Sequence, residues 1–128
     1  MEKVMVFGTF DILHLGHLDY FKQAKKWGDY LVVVVARDKN VLKSKGKKPK
    51  YNEKVRLGKI KKVKMVDKVV LGYVRDRFKM IEKMNPDTVC FGYDQKVDLD
   101  LMKKIKKQKI KIRRLKSYKP RKYKSSLL

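Results

Sequence analysis

Apolar runs alternate with amphipathic runs along the whole chain. The run Tyr30–Ala36 is continuously apolar, which is typical of a parallel strand that is covered on both faces. A first strand is predicted before it at Lys3–Phe7, and three shorter apolar runs predict strands at Val69–Leu71, Thr88–Phe91 and from Ile110 to Ile112.

The segments between these strands carry apolar residues at helical spacing. A first helix is predicted from about His17 to Trp27, and a second begins after Asn52, a residue type suited to an N-cap. A third helix is predicted over Arg75–Met84, and a basic helix of about ten residues starts near Leu99. The segment Arg37–Lys50 is rich in lysine and contains glycine and proline, so we predict a basic loop there.

This alternation of strands and helices predicts an α/β fold, a single Rossmann-like doubly wound domain over residues 1–128. We expect a five-stranded parallel sheet in the order 3-2-1-4-5 with helices on both faces. Ligands of such folds bind beyond the carboxyl ends of the strands, where the strand order reverses. With this order, the turns after strands one and four, Gly8–Asp11 and Gly92–Gln95, face each other across one crevice.

The stretch Gly8–His17 lies between the first strand and the first helix, and it contains both histidines of the chain. Unpaired backbone amides at a helix N-terminus, together with the helix dipole, favour a bound anion. Gly8 is expected to permit a tight turn, and Gly16 a close approach of the backbone to a ligand. Since His14 and His17 add ring N–H donors, the stretch predicts a phosphate-binding site.

Charge and cysteine content limit the other possibilities. The chain has 36 Lys+Arg against 13 Asp+Glu, a formal net charge of +23, so nonspecific binding of polyanions is expected. Attraction of a phosphate-rich substrate, nucleic-acid binding and a lysine-rich solvated surface all remain open, and the scatter of lysines over every segment favours the last. The single Cys90 excludes an internal disulfide, so a reducing cytoplasm is expected. No membrane helix and no signal peptide are recognised, so no membrane partner is expected.

The segment Gly8-Thr9-Phe10-Asp11, followed by His14-Leu15-Gly16-His17, resembles the GTFD-x-x-H-x-G-H signature of the cytidylyltransferase-like nucleotidyltransferases. Val35-Ala36-Arg37-Asp38 and Gly92-Tyr93-Asp94-Gln95 resemble the archaeal FAD synthases of that superfamily. The resemblance covers nearly the whole chain. It implies transfer of a nucleoside monophosphate from a nucleoside triphosphate to a phosphorylated acceptor, with release of pyrophosphate.

Adenylyl transfer from ATP to FMN is the first interpretation of this resemblance. A CTP-dependent transfer to glycerol phosphate or a similar alcohol phosphate is the alternative, and a non-catalytic nucleic-acid-binding protein on the same fold is an alternative of another class. The resemblance also implies Mg²⁺ that arrives with the triphosphate, and a homodimer. The chain offers no Cys/His cluster for zinc, and no metal-binding residue is predicted.

The resemblance assigns functional residues as well. It implies a catalytic role for His14, His17 and Lys48, with Lys47 nearly as good a match for the lysine. Arg56 resembles the arginine of an E-x-x-R helix segment. Near the C-terminus, residues 121–126 loosely resemble the R-T-x-G-I-S-T-T segment of the cytidylyltransferases. The residues implied to bind the nucleotide are Gly8, Thr9, Phe10, Gly16, Lys47, Arg56, Gly92, Asp94, Arg121, Ser125 and Ser126.

Overall fold

The structure, a computed structural model, describes residues 1–118 and contains one parallel sheet in the order β3-β2-β1-β4-β5. All four neighbouring strand pairs in it are parallel. The strands are β1 (Lys3–Gly8), β2 (Tyr30–Val35), β3 (Lys68–Leu71), β4 (Thr88–Phe91) and β5 (Lys111–Arg114). The predicted strand order is confirmed, and the order of the strands reverses between β1 and β4.

Five helices connect the strands within the described residues. They are α1 (Leu15–Lys25), α2 (Asp38–Lys45), α3 (Glu53–Lys61), α4 (Arg77–Met84) and α5 (Leu99–Lys107). Asn52 is the N-cap of α3, as predicted, and its side chain accepts a hydrogen bond from the Val55 amide at 2.9 Å. Helix α1 begins two residues before the predicted start, because His14 is its N-cap.

Successive residues of the central strands are buried against opposite layers of helices. Val6 of β1 belongs to one apolar cluster with Phe21 of α1 and Ile60 of α3. The neighbouring Met5 belongs to a second cluster with Ile81 of α4 and, in addition, residues of α5. Both sides of the sheet are therefore dry, which explains why β1 and β2 are continuously apolar.

The prediction of a basic loop over Arg37–Lys50 is wrong for its first half. Asp38–Lys45 forms α2, which ends at Gly46 in the left-handed conformation with φ 75°. Val41 is the only buried residue of this helix. The Asp38 amide at its start is satisfied by Glu53 Oε1, at 2.9 Å, from another helix. The segment itself therefore contains neither an apolar stripe nor a local cap that would identify it as a helix.

Gly8 is required for space rather than for a turn. A Cβ atom on Gly8 would lie 2.7 Å from Cε2 of the Phe10 ring, and the Gly8 backbone is not left-handed. We expect Gly8→Ala to lower the free energy of unfolding by about 1–3 kcal/mol through overpacking. Gly58→Ala is the matched control, because nothing lies within 4 Å of that position in α3, and it should stabilise by about 0.5–1 kcal/mol. Urea unfolding measures both, and a Gly8→Ala protein as stable as the parent would contradict this explanation.

Candidate active site

A cavity of about 970 Å³ opens at the carboxyl edge of the sheet, above the point where the strand order reverses. Segments that follow all five strands line it, including Thr9 after β1, Arg37 after β2, Gly72 after β3, Gly92 after β4 and Lys116 after β5. The two turns that were predicted to share a crevice both line this cavity. Its position is therefore the one expected for a ligand site of a doubly wound sheet.

His14 and His17 cap the start of α1 in a reciprocal arrangement. Nδ1 of His14 accepts a hydrogen bond from the Gly16 amide at 3.0 Å, and Nδ1 of His17 accepts one from the His14 amide at 3.3 Å. A neutral imidazole with an accepting Nδ1 carries its proton on Nε2. The capping network thus assigns the same tautomer to both rings, with the proton of each on Nε2. The Ile12 backbone also bonds the His17 ring, so a phosphate oxygen would compete with it for that proton.

The two rings are stacked, with centroids 3.9 Å apart and planes inclined by 26°. Burial lowers the pKa of His17 to about 4. The neighbouring His14 and Lys45 act in the same direction, against a hydrogen bond with the Ile12 backbone. His17 is therefore neutral at pH 7 and contributes a hydrogen-bond donor rather than a positive charge.

The lowered pKa of His17 makes folding stability depend on pH. The unfolded histidine takes up a proton near pH 6.5, whereas the folded one does so only near pH 4. Because the unfolded state binds more protons between these values, stability should fall as the pH drops from 6.5 to 4. We expect a smaller fall of the melting temperature in His17→Gln, since glutamine at this position can still cap the helix. Equal falls in both proteins would contradict the assignment.

Phe10 joins the signature stretch to the core. Its backbone is left-handed with φ 53°, and its side chain is only 3% exposed. The ring packs edge-on against His17 at a centroid distance of 5.3 Å and contacts Phe21 at 5.2 Å. Burial of the ring offsets the strain of the left-handed backbone at Phe10. The same ring packs against the imidazole of His17 and holds it in position.

The absence of a side chain at Gly16 leaves room for the His14 ring. A Cβ atom on Gly16 would lie 2.8 Å from Cε1 and 2.9 Å from Nδ1 of that ring. Any larger residue would therefore displace the imidazole from the start of α1. In this structure, the group that approaches the Gly16 backbone closely is the His14 ring.

Asp11 connects the signature stretch to the segment after α2 through hydrogen bonds. Its carboxylate oxygens accept hydrogen bonds from the amides of Lys50, at 2.7 Å, and Tyr51, at 2.8 Å. Burial acts to raise the pKa of Asp11, but the two amides and the nearby Arg56 outweigh it and hold this pKa below its ordinary value. Asp11 is therefore ionised at neutral pH and has both oxygens engaged.

Arg56 is fully buried and does not line the cavity. Its Nη1 donates to the Thr9 carbonyl at 2.8 Å, its Nε to the Tyr51 carbonyl at 2.9 Å, and its Nη2 pairs with Asp38 at 2.7 Å. Because protein groups take up these donors, the structure supports a positioning role for Arg56, and its implied contact with a nucleotide stays a prediction. Thr9, which Arg56 holds through its carbonyl, does line the cavity.

The lysines that line the cavity differ from the two that the resemblance implied. Lys47 and Lys48 are exposed and lie outside the lining, whereas Lys45, at the end of α2, and Lys116 belong to it. The two implied lysines follow Gly46, the residue that caps the end of the helix. Val41 and Lys45, four residues apart, lie on one side of α2, but this spacing could not be used because the sequence did not indicate the helix.

Gly92 and Asp94 line the cavity, and the turn that contains them is held by a residue that the sequence analysis did not single out. Nε2 of Gln95 donates to the Phe7 carbonyl at 3.0 Å, and its Oε1 accepts from the Gly92 amide at 2.7 Å. Arg114 of β5 donates to the Gly92 carbonyl at 2.8 Å. The bonds to Phe7 and from Arg114 join segments that are distant in the sequence, so no local pattern indicates them.

Three of the residues predicted to bind the nucleotide follow residue 118. Arg121, Ser125 and Ser126 lie outside the described residues, and their role in nucleotide binding stays a prediction. Among residues 1–118, no three His, Cys, Asp or Glu side chains are grouped so that they could hold a metal ion. In the same part of the chain, no helix has the length and apolar character needed to cross a membrane.

Known proteins similar to this chain agree with the resemblance of its signature. The cytidylyltransferase-like family matches residues 5–128. The FAD synthase of Thermoplasma volcanium is 46% identical over 114 residues, which cover 88% of this chain and 80% of that protein. The FAD synthase of Ferroglobus placidus is 48% identical over 112 residues, which cover 87% of this chain and 72% of that protein.

A solved structure also matches over most of its length. The crystal structure of the lipopolysaccharide core biosynthesis protein from Thermoplasma volcanium is 47% identical, with a TM-score of 0.84, and the match covers 92% of this chain and 98% of that one. The sheet order, the stacked histidines at the start of α1 and these similarities lead to one conclusion. The chain belongs to the cytidylyltransferase-like family.

Proposed function

We propose that this protein is an FAD synthase that transfers AMP from ATP to FMN. A phosphate oxygen of FMN attacks the α-phosphorus of ATP and forms the new P–O bond. The bond from the α-phosphorus to the oxygen that bridges it to the β-phosphorus breaks, and pyrophosphate leaves with that oxygen. Two relatives named FAD synthase support the choice of FMN as acceptor. They are 46% and 48% identical to this chain and match most of it.

The observation that carries nucleotidyl transfer is the pair of Nε2–H donors of His14 and His17 beside the start of α1. In such a transfer the charge lies on phosphate oxygens, so the protein mainly has to position the reactants and stabilise that charge. Donors that are oriented before the reaction are effective, because they need no reorganisation when the charge develops. The capping hydrogen bonds and the packing of Phe10 against His17 supply this orientation.

A divalent cation, which we propose to be Mg²⁺, would neutralise charge on the triphosphate. Mg²⁺ takes most of its ligands from phosphates and water, with one or two carboxylates from the protein. Asp11 and Asp94 are the carboxylates among the described residues that line the cavity. Both oxygens of Asp11 already accept backbone amides, so the triphosphate and water would supply most ligands of the cation.

We assign to Lys45 the contact with phosphate that the resemblance gave to Lys48 or Lys47. Lys45 lines the cavity and lies close enough to His17 to lower the pKa of that histidine. Lys45→Met should lower kcat/KM by on the order of 10-fold or more, as expected for the loss of a charged partner of a phosphate. Lys47→Met and Lys48→Met are matched controls. A larger loss of kcat/KM in either of them than in Lys45→Met would assign the phosphate contact to the segment after α2.

Turnover with defined substrates tests the proposed function. The protein is incubated with ATP or CTP, with FMN or glycerol phosphate, and with Mg²⁺, and pyrophosphate and FAD are quantified. We expect both products with ATP and FMN, and none after chelation of the metal. Pyrophosphate formed only with CTP and glycerol phosphate would replace FMN by an alcohol phosphate. Salt-sensitive binding of DNA without any turnover would favour a nucleic-acid-binding protein instead.

A further inference from the structure

The side chain of Gln95 fills the gap that opens between β1 and β4. The two strands pair from Val4–Thr88 to Val6–Cys90, and their backbone pairing stops there. One step further, the carboxamide of Gln95 donates to the Phe7 carbonyl at 3.0 Å and accepts from the Gly92 amide at 2.7 Å. A carboxamide has the same donor and acceptor as a peptide group, so the side chain continues the ladder where the backbones separate.

Two neighbours fix the orientation of this carboxamide. The Tyr20 hydroxyl of α1 lies 3.1 Å from Oε1 of Gln95 and 3.2 Å from the Phe7 carbonyl. Arg114 donates to the backbone carbonyls of both Gln95 and Gly92. The Gly92 amide requires an acceptor, which places Oε1 beside it and Nε2 on the side of the Phe7 carbonyl.

We propose that Gln95 is a positioning residue that sets the separation between the two turns of the active site. On one side Gln95 is bonded to Phe7, the residue before the signature stretch, and on the other to Gly92, which begins the turn containing Asp94. If a triphosphate spans both turns, their separation determines where its α-phosphorus lies relative to the histidines. This inference rests on the proposed function, because it concerns the alignment of the substrates of that reaction.

The chemistry of the carboxamide suggests a specific substitution. In Gln95→Glu, the side chain can still accept from Gly92, but an ionised carboxylate would face the Phe7 carbonyl without a donor. The Gly92 amide and the Tyr20 hydroxyl, which donate to Oε1, favour the ionised form of a carboxyl group at this position. Gln95→Glu should therefore lack the donor throughout pH 6 to 8, and the nearly isosteric Gln95→Met lacks it as well.

Few other groups near this position change charge in the range used for the test. Burial raises the pKa of Tyr20, and it raises the pKa of Cys90 to about 12, so both stay protonated between pH 6 and 8. Arg114 stays charged. Asp94, the substrate phosphates and the histidines of the signature are present in parent and variant alike, so the ratio of the two proteins at each pH removes their contribution.

The experiment measures kcat and KM for ATP between pH 6 and 8 in the parent, Gln95→Glu, Gln95→Met and the control Gln108→Glu. Gln108 is an exposed residue at the end of α5. At pH 8 we expect kcat of Gln95→Glu to fall by about 10-fold to 100-fold, the scale of a small misplacement of reacting groups, with a smaller change in KM. The loss should persist at pH 6, Gln95→Met should show it too, and Gln108→Glu should match the parent throughout.

The outcomes separate positioning from mere stability and from failure of the proposed function. Far-UV circular dichroism at each pH gives the folded fraction, and kcat is expressed per folded molecule. A kcat of Gln95→Glu that is unchanged on this basis overturns the proposal, and so does a loss that appears only as a higher KM. If Gln95→Met does not fold, Gln95→Glu decides alone. A parent protein without turnover on ATP and FMN overturns the proposed function instead, and this inference falls with it.

Discussion

Replacing His14 or His17 with alanine should lower kcat by on the order of 10²–10³, the usual cost of removing one oriented donor from a transition state. Each substitution removes an Nε2–H at the start of α1, where the phosphate oxygens are proposed to lie. The fold should survive, because His14 is exposed and His17 is only partly buried. Steady-state kinetics with ATP and FMN, together with a melting curve for each variant, measure both effects.

Capping and catalysis can be separated at position 14. Asparagine is a good N-cap, so His14→Asn retains an acceptor for the Gly16 amide but has no donor at the position of Nε2. It should therefore be as stable as the parent and as slow as His14→Ala. Lys22→Ala, on the exposed side of α1, is the matched control for stability and rate. Turnover of both alanine variants within about fivefold of the parent would remove the histidines from the mechanism, because a lost transition-state donor costs far more.

Arg56→Met should lower the free energy of unfolding by about 3 kcal/mol, the lower end of the cost of removing one member of a buried ion pair. The lower end applies because its partner Asp38 is 36% exposed and can be rehydrated. The carbonyls of Thr9 and Tyr51 lose their donors in the same variant. Urea unfolding gives the change, and Arg75→Met, at an exposed position, is the matched control.

This substitution should also affect the active site, although Arg56 does not reach the cavity. Thr9 would lose the bond that holds its carbonyl, so KM for ATP should rise in protein that is still folded. A variant as stable as the parent with a large loss of kcat would contradict the positioning role. It would mean that Arg56 leaves its buried site and contacts the nucleotide directly.

The sheet could be predicted from the sequence because each central strand is a continuous apolar run. The alternation of strands and helices predicted a doubly wound parallel sheet, the order 3-2-1-4-5 was assumed for it, and the meeting of the two motif-like turns followed from that order. The signature histidines could be placed for the same reason, since they directly follow β1. Local sequence carries all of these signals.

Contacts between distant segments could not be predicted in this way. Helix α2 was missed because its first amide is capped by Glu53, fifteen residues later in the sequence. The lysine that lines the cavity was missed with it, since Lys45 reaches that position only at the end of a helix. Gln95 and Arg56 act through backbone carbonyls of β1 and of the signature stretch, and such bonds have no periodicity.

The hydrogen bonds and ion pairs between α2 and α3 affect how these two helices unfold locally. Glu53 binds both Arg37 and the Asp38 amide, and Arg56 binds Asp38 in return. The first amides of a helix ordinarily exchange their hydrogens with water quickly, because they have no partner within the helix. Here the Asp38 amide can exchange only when two helices separate, so α2 and α3 form one cooperative unit of local unfolding. Helix α3 thus stabilises the part of the cavity wall that α2 forms, although no residue of α3 lines the cavity.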